Sequence, residues 1–242
     1  MGGVHPSVER APGVIVSGDV EIGPGCRLGA YAVFTGPARI GRDNVFGPHT
    51  VIGADPQDRK FQGGGKLKIG DGNVFREFVS VHRGHLTDHG TVIGSNNWFL
   101  ASSHVGHDCH IGDGNFITNG VLLAGHVEVG DRANISGLAA FHQFCRVGSD
   151  CMVSGHAAVR RDLYPFSMVY GDPAAHIGVN RVGLARQGWT REQLMELKEA
   201  FRLLRGGLAE QGRGNRYLEA LIEFRARSQR GMAGFGTRKG RE

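Results

Sequence analysis

Apolar residues recur at every sixth position along most of residues 16–159. The series comprises Val16, Ile22, Leu28, Phe34, Ile40, Phe46, Ile52, Ile69, Phe75, Val81, Ile93, Phe99, Val105, Ile111, Ile117, Leu123, Val129, Ile135, Phe141, Val147, Val153 and Val159. A fixed period of this kind is typical of repeat architectures, in which each unit buries its apolar side chain against its neighbours. The pattern therefore predicts short strands with one inward-facing apolar residue each.

A second period of 18 residues is superimposed on the first, because glycine follows the apolar residue at Ile93, Ile111 and Val129. Three hexapeptides then form one coil with three distinguishable faces, and we call the glycine-bearing strand the first face. The third face carries Val16, Phe34, Ile52, Val81, Val105, Leu123, Phe141 and Val159, which gives about eight coils. We therefore predict an all-β fold, a parallel β-helix of triangular section over residues 1–162. The period alone does not give the handedness of this solenoid.

Two segments interrupt the repeat, residues 54–66 and residues 85–90. Both leave the β-helix at the corner that follows a third-face strand. Loops that emerge from a rigid scaffold carry a large share of the binding residues in proteins. We therefore expect these two loops to flank a functional site.

The repeat ends after Val159, and we assign residues 163–242 to a C-terminal loop and helical region with a basic, mobile tail from residue 231. Apolar periodicity predicts helices over residues 179–186, from Thr190 onward, and over residues 217–227. Thr190 and Gln193 have the spacing of a capping box, which marks the start of the second helix.

The net charge of +5 is unevenly distributed, since residues 161–242 carry 15 Lys and Arg against 9 Asp and Glu. Such an excess suits nucleic acid, an anionic membrane, a nucleotide or an acidic protein, and its sign does not choose among them. The N-terminal residues lack an apolar leader segment and no apolar run is long enough to span a membrane, so we expect a cytoplasmic protein. The four cysteines show no CxxC spacing, and we expect them to be small buried residues.

Candidate chemistry is concentrated in histidines on or just after the third face. His104 and His107 flank Val105, and His126 and His142 follow on the next two coils. Stacking would place these side chains within one or two strand spacings of each other along a polar edge. The alternative interpretation is that histidines occupy a solvated corner without a common role.

Five ordered segments carry a resemblance to a known family. They are residues 57–61 (QDRKF), 82–84 (HRG), 104–109 (HVGHDC), 123–127 (LAGHV) and 142–145 (HQFC). Together with residues 178–180 and 226–231 they resemble the acyl-carrier-protein-dependent UDP-N-acetylglucosamine O-acyltransferases, the first enzymes of lipid A synthesis. The resemblance implies a left-handed β-helix, a homotrimer, and acyl carrier protein and UDP-N-acetylglucosamine as partners. It implies no cofactor, no metal and no nucleic-acid partner.

The resemblance also implies roles for individual residues. His107 corresponds to the general base, Asp108 would orient its ring, and the backbone N–H of Gly125 would stabilise the oxyanion. The implied substrate-binding residues are Gln57, Asp58, Lys60, His104, His126, His142, Gln143, Asn180 and Arg186, the last two facing the nucleotide. Gly155 and His156 map to the gate that limits acyl-chain length, and we predict no particular length.

Val182 departs from the family pattern, because an acidic nucleotide contact is common at that position. Three alternatives stay open: N-acylation of a UDP-amino sugar, a noncatalytic scaffold, and a zinc enzyme like the γ-type carbonic anhydrases, which share the scaffold. The zinc alternative suits the sequence poorly. His104 and His107 lie three residues apart on a predicted strand and should point to opposite faces.

Overall fold

The computed structural model describes residues 3–85, 88–212 and 214–236, which form short strands followed by three α-helices. The first strands are β1 (Glu9–Arg10), β2 (Ile15–Ser17), β3 (Val20–Ile22), β4 (Arg27–Leu28), β5 (Val33–Thr35), β6 (Ala38–Ile40), β7 (Val45–Phe46), β8 (Val51–Ala54), β9 (Leu67–Ile69), β10 (Val74–Phe75), β11 (Ser80–His82) and β12 (Thr91–Ile93). They are followed by β13 (Trp98–Phe99), β14 (His104–Val105), β15 (His110–Ile111), β16 (Phe116–Ile117), β17 (Leu122–Leu123), β18 (Glu128–Val129), β19 (Asn134–Ile135), β20 (Ala140–Phe141), β21 (Arg146–Val147), β22 (Met152–Val153), β23 (Ala158–Val159), β24 (Ser167–Tyr170) and β25 (Ala175–Val179). The helices are α1 (Arg181–Arg186), α2 (Arg191–Arg205) and α3 (Arg216–Ala226), with a short 3₁₀ turn at Ala209–Gly212.

Successive strands join three sheets in turn, so that the chain coils through all three faces before it returns to the first. The seven-stranded sheet contains β3, β6, β9, β12, β15, β18 and β21, and the eight-stranded sheet contains β2, β5, β8, β11, β14, β17, β20 and β23. The ten-stranded sheet contains β1, β4, β7, β10, β13, β16, β19, β22, β24 and β25. The first two sheets are the predicted first and third faces, strand for strand. Every pairing between described strands is parallel except that of β24 with β25.

The core is a column of the repeat residues, because parallel pairing in register places each apolar side chain on the one in the coil below. Every residue of the predicted series from Ile22 to Val159 is buried, and Val16 packs against the same cluster. Aromatic rings stack within the column, with centroids 4.8 Å apart between Phe46 and Phe75 and again between Phe75 and Phe99. The four cysteines are free and buried, as predicted.

A ladder of buried asparagines runs beside this column and was not predicted. Asn44, Asn73, Asn97 and Asn115 are each 1 % exposed or less. The Asn97 amide donates to Asn73 Oδ1 at 3.0 Å and to the Gly112 carbonyl at 2.9 Å, while its own Oδ1 accepts from the Asn115 backbone N–H at 2.8 Å. Each amide therefore satisfies backbone groups at a corner that the strand ladders leave unpaired.

The C-terminal region partly matches the sequence-based expectation. The predicted capping box is present, since the Thr190 hydroxyl accepts from the Gln193 N–H and the Gln193 side chain accepts from the Thr190 N–H. The helix predicted from residue 179 begins two residues later, because Val179 ends β25 and Asn180 caps α1. Strands β24 and β25 extend the ten-stranded sheet beyond residue 162, and the division of the chain at that residue stays a prediction.

The prediction of a mobile tail from residue 231 is wrong for residues 231–236. Met232 pairs with Asp162 and Phe235 pairs with His176 in parallel bridges. The Phe235 ring also lies 5.4 Å from the His176 ring, so this segment is bound to the body of the protein. Residues 237–242 lie outside the part of the chain that the structure describes. Within the described residues, no helix is long and apolar enough to cross a membrane.

The asparagine ladder gives the first testable prediction. Asn97→Ala removes two donors and an acceptor at once and leaves buried backbone groups unsatisfied, so it should lower the free energy of unfolding by about 2–4 kcal/mol. Urea denaturation measures this loss. The control is Asn134→Ala, which truncates an exposed side chain on β19 and should change stability by less than about 0.5 kcal/mol. Equal losses in the two variants would contradict the role of the ladder.

Buried His176 gives a prediction for the pH dependence of stability. Its Nε2 accepts from the Tyr164 N–H at 3.0 Å and its Nδ1 lies 3.1 Å from the Ala233 carbonyl, so the neutral ring satisfies both neighbours. Burial lowers the pKa of His176 from 6.5 to about 4. Between pH 6.5 and about pH 4 this histidine is protonated in the unfolded chain and stays neutral in the folded protein. The contribution of neutral His176 to the free energy of unfolding is therefore complete above about pH 6.5. It is lost as the pH falls toward about 4, by up to about 3 kcal/mol.

Urea denaturation at several pH values between 7.5 and 4.5 tests this expectation. In His176→Gln the stability should fall less steeply with decreasing pH than in the parent protein, because the amide does not titrate. Parallel curves for the two proteins would show that His176 does not contribute to acid destabilisation.

Candidate active site

The site is built on the corner between the eight-stranded and the seven-stranded sheets. His107 and Asp108 occupy this corner between β14 and β15, and Asp108 adopts a positive φ of 56°. His126 and Phe144 follow at intervals of 18 residues with φ of 61° and 65°. The stacking of coils therefore places Asp108, His126 and Phe144 directly above one another, and we call these three residues the corner column.

Asp108 is fully enclosed and holds the His107 ring. Its Oδ2 accepts hydrogen bonds from His107 Nδ1 at 2.8 Å and from the His85 backbone N–H at 2.9 Å. Its own N–H donates to the Thr91 hydroxyl at 2.8 Å. Because an ionised carboxylate can only accept, the proton of a neutral His107 ring lies on Nδ1, and Nε2 keeps its lone pair. The pair therefore presents a basic nitrogen held in one orientation.

Gly125 lies directly beneath the free nitrogen of His107. A Cβ at residue 125 would lie 2.6 Å from His107 Nε2, so the close approach of the ring requires glycine. The Gly125 carbonyl accepts from the Phe144 N–H, whereas its own N–H donates no hydrogen bond to any residue that the structure describes. The site thus combines a base with an unused backbone donor.

A groove of about 740 Å³ opens over the eight-stranded sheet beside this pair. Its lining includes five of the predicted site residues, Gln57, His104, His107, Gly125 and Gln143, together with Ser80 and His82. His104 Nδ1 lies 2.9 Å from the Ser80 hydroxyl. Burial and the neighbouring His82 lower the pKa of His104 to about 4, so its ring is neutral at neutral pH.

His126 lies next to the base and, with Asp108 and Phe144, lines a neighbouring cavity rather than the groove itself. Its ring centroid lies 5.1 Å from that of His107 in an edge-on arrangement, and the opposite face stacks on Phe144 at 4.5 Å. Desolvation lowers the pKa of His126, and the nearby Asp108 charge partly opposes this shift. His126 is therefore predominantly an uncharged hydrogen-bonding group at neutral pH.

The expectation that His104 and His107 point to opposite faces is wrong. Both line the groove, because the chain turns the corner after Val105 and strand alternation no longer applies between them.

A metal could be held by the set His107, Asp108 and His126, whose ligand atoms lie within 4.8 Å of one another. Two imidazoles and a carboxylate suit a divalent transition metal. The 2.8 Å between His107 Nδ1 and Asp108 Oδ2, however, is shorter than the roughly 3.3 Å expected between two ligands of one tetrahedral zinc ion. The arrangement fits a hydrogen-bonded base and carboxylate better than a metal centre.

Comparison with known proteins extends this picture to the whole chain. The family described as UDP N-acetylglucosamine O-acyltransferase, domain 2, matches residues 162–233, and the bacterial transferase hexapeptide repeat matches residues 19–54 and 90–125. An acyl-[acyl-carrier-protein]–UDP-N-acetylglucosamine O-acyltransferase from Stenotrophomonas maltophilia strain R551-3 is 43% identical over 94% of this chain and 96% of its own length. The chain belongs to this acyltransferase family.

Further relatives are consistent with this assignment. The enzyme of the same name from Thiobacillus denitrificans is 39% identical over 96% of this chain and 99% of its own length. Among solved structures, the UDP-N-acetylglucosamine acyltransferase of Francisella novicida superposes with a TM-score of 0.83 at 31% identity, covering 96% of this chain and 91% of that chain. The Campylobacter jejuni enzyme superposes with a TM-score of 0.84 at 28% identity, covering 97% and 100%.

The remaining residues that the family resemblance singled out lie around the groove or away from it. Asp58 is half-buried, with its Oδ2 3.3 Å from His85 Nδ1, while the Lys60 side chain is exposed. His142 is exposed beside Gln143. Asn180 uses its side chain within the fold, because it donates to the Asp150 carbonyl at 2.9 Å and accepts from the Gly183 N–H at 3.1 Å.

Three predicted residues lie on other parts of the surface. Arg186 ends α1 and is exposed. Gly155 and the exposed His156 occupy the corner between β22 and β23, at the opposite edge of the eight-stranded sheet from His107. Their roles in the acyltransferase family stay predictions for this chain.

Several site residues were missed by sequence reasoning. Phe144 could have been found, because it repeats the position of Asp108 and His126 at intervals of 18 residues. Thr91 is the first residue of a strand and gives no signal of its contact with Asp108. His85 is the first residue of the second repeat interruption, where the period cannot place it.

Substitution at Gly125 tests the packing of the base. In Gly125→Ala the new methyl group would occupy the position of the His107 ring, so the ring should rotate and its 2.8 Å hydrogen bond to Asp108 should break. A crystal structure shows the ring position, and loss of the downfield Nδ1–H proton resonance reports the broken bond in solution. The matched control is Gly137→Ala, whose new methyl group lies 3.3 Å from its nearest neighbour. An unmoved His107 ring in Gly125→Ala would refute the assigned constraint.

Proposed function

We propose that this protein transfers a fatty acyl group from acyl carrier protein to the 3-hydroxyl of UDP-N-acetylglucosamine, the first step of lipid A synthesis. The names of relatives that match nearly the whole chain support this reaction. The observation that carries it in this chain is the His107–Asp108 pair, poised over the unused N–H of Gly125 in the groove.

The geometry supports a general-base mechanism. A sugar hydroxyl is a poor nucleophile at neutral pH, so His107 Nε2 accepts its proton as the oxygen attacks the thioester carbonyl carbon. Asp108 stabilises the imidazolium that forms, and the Gly125 N–H donates to the oxyanion of the tetrahedral intermediate. The intermediate then collapses with cleavage of the carbon–sulfur bond. The imidazolium returns its proton to the departing sulfur, which leaves the ester and the free thiol of the carrier protein.

The groove residues are proposed to hold the sugar and the start of the acyl chain. Neutral His104 in the groove and neutral His126 beside it can donate or accept hydrogen bonds to sugar hydroxyls without bringing a charge near the reacting carbonyl. Leu122 and Ala140 provide an apolar floor over the eight-stranded sheet. An acyl chain that follows this floor would end near Gly155 and His156, which is why these residues are proposed as its gate.

The assembly is proposed to be a homotrimer of left-handed β-helices, as the family resemblance implies. Among the described residues of one subunit, Gln143 is the most C-terminal residue that lines the groove. None of the C-terminal helices contributes to the lining. The exposed Arg186 could therefore reach a nucleotide in the groove only from a neighbouring subunit, in which Asn180 caps the same helix. A cytoplasmic location is part of the proposal, and four free cysteines suit a reducing compartment.

The decisive experiment incubates the protein with UDP-N-acetylglucosamine and acyl carrier proteins loaded with 3-hydroxyacyl chains of several lengths. His107→Ala should retain the fold and lower kcat by about 10²–10⁴, because it removes the general base. His89→Ala is the matched control, since His89 is exposed and should leave the rate unchanged. No product with any chain length, in an assay where a known enzyme is active, would refute the proposed function. Product formed only from a UDP-amino sugar would replace it by N-acylation.

A further inference from the structure

His85 lies between the first inserted loop and the catalytic pair and belongs to neither. Its backbone N–H donates to Asp108 Oδ2 at 2.9 Å, on the same oxygen that holds the His107 ring. Its side chain is only 10 % exposed, and its Nδ1 lies 3.3 Å from Asp58 Oδ2. This contact is within ion-pair range, although it does not have the geometry of a hydrogen bond. Main chain and side chain of one residue thus contact two different carboxylates.

The His85 ring also fills the space between the loop and the base. It packs edge-on against Phe61 of the loop at a centroid distance of 5.3 Å and against His107 at 6.0 Å. Phe61 is covered on its own ring face by the Arg83 guanidinium, 5.5 Å from the ring centroid. The loop therefore reaches the catalytic corner through a continuous set of ring contacts.

The loop needs such an anchor, because its sequence does not favour one conformation. Gly63, Gly64 and Gly65 all adopt positive φ, and consecutive glycines lose a large conformational entropy when they are ordered. Arg83 holds the glycine end of the loop by donating to the Gly64 carbonyl at 2.9 Å. At the other end Asp58 Oδ1 accepts from the Lys60 N–H at 2.9 Å, so that His85 restrains the second oxygen of the same carboxylate.

We propose that His85 is a positioning residue for the acyl transfer, which ties Asp58 of the sugar-binding loop to the His107–Asp108 pair. The inference rests on the proposed function, in which Asp58 contacts the sugar and His107 takes its proton. His85 itself touches neither the sugar nor the reacting atoms. It fixes the distance between the group that binds the sugar and the group that deprotonates it.

A loss of substrate affinity without a loss of kcat distinguishes this role from a general structural one. In His85→Ala the backbone N–H that supports Asp108 remains, so the base keeps its orientation and kcat should stay within about threefold of the parent value. Asp58 loses its restraint, and the affinity for UDP-N-acetylglucosamine should fall by about tenfold in both KM and the calorimetric Kd. His85→Gln keeps an amide donor that can reach Asp58 and should recover most of the affinity.

A double-mutant cycle with Asp58→Ala isolates the contact. Because His85 acts through Asp58, adding His85→Ala to Asp58→Ala should weaken binding little further. His89→Ala is the matched control, an exposed histidine from the same inserted segment that should leave affinity unchanged. Thermal denaturation of each variant confirms that it is folded.

The outcomes separate the two proposals. If the parent protein transfers acyl groups while His85→Ala binds the sugar nucleotide normally, or if the effects of the two substitutions multiply, His85 has no positioning role and the proposed function stands. A large fall in kcat without a change in affinity would equally overturn the inference. If the parent protein transfers no acyl group, the proposed function fails and the inference falls with it.

Discussion

The parallel pairing of successive coils in register is the constraint on which the rest of the structure depends. Apart from β25, the described strands are only two to four residues long. No strand of this length could hold its place alone. The register between neighbouring strands is instead fixed by the columns of side chains that parallel pairing stacks on one another. The apolar column fills the interior, and the asparagine ladder satisfies backbone groups at one corner. A shift of one residue would expose the apolar column and break the ladder together.

The active site uses the same columns at a different corner. Asp108, His126 and Phe144 occupy equivalent positions on three coils with left-handed backbone, and their side chains line one cavity beside the groove. Burial explains the chemistry of the titratable side chains at this corner. Desolvation keeps the imidazoles of His104 and His126 uncharged, while the enclosed Asp108 retains hydrogen-bond donors on its oxygen. A rigid scaffold thus holds base, carboxylate and backbone donor without requiring any loop to close.

The sequence was most informative where the repeat holds. The positions of the inward residues and the membership of two sheets follow from counting in units of 6 and 18, whereas Gly125 was singled out by the family resemblance alone. Counting fails wherever the chain leaves the repeat. His85 could not be placed because the segment that contains it interrupts the period, and the bound segment of residues 231–236 depends on contacts with Asp162 and His176 far away in sequence.

The direction of side chains at corners was the second property that the sequence did not predict. Alternation along a strand predicts opposite faces for residues three apart, but the turn after Val105 brings His104 and His107 to one groove. Asn180 shows a related difficulty, because a sequence motif does not reveal that a side chain is already engaged in capping a helix.

The two inserted segments have a consequence for how this scaffold can change. Both leave the coil stack at the edge beside the groove, and the strands that follow them, β9 and β12, pair with each other and rejoin the seven-stranded sheet in register. Changes of length within these segments that spare Asp58, Phe61 and His85 therefore leave the register of the strands around His107 unchanged. The fold thus separates the part of the chain that is free to acquire new substrate contacts from the part that must stay constant for the chemistry to occur.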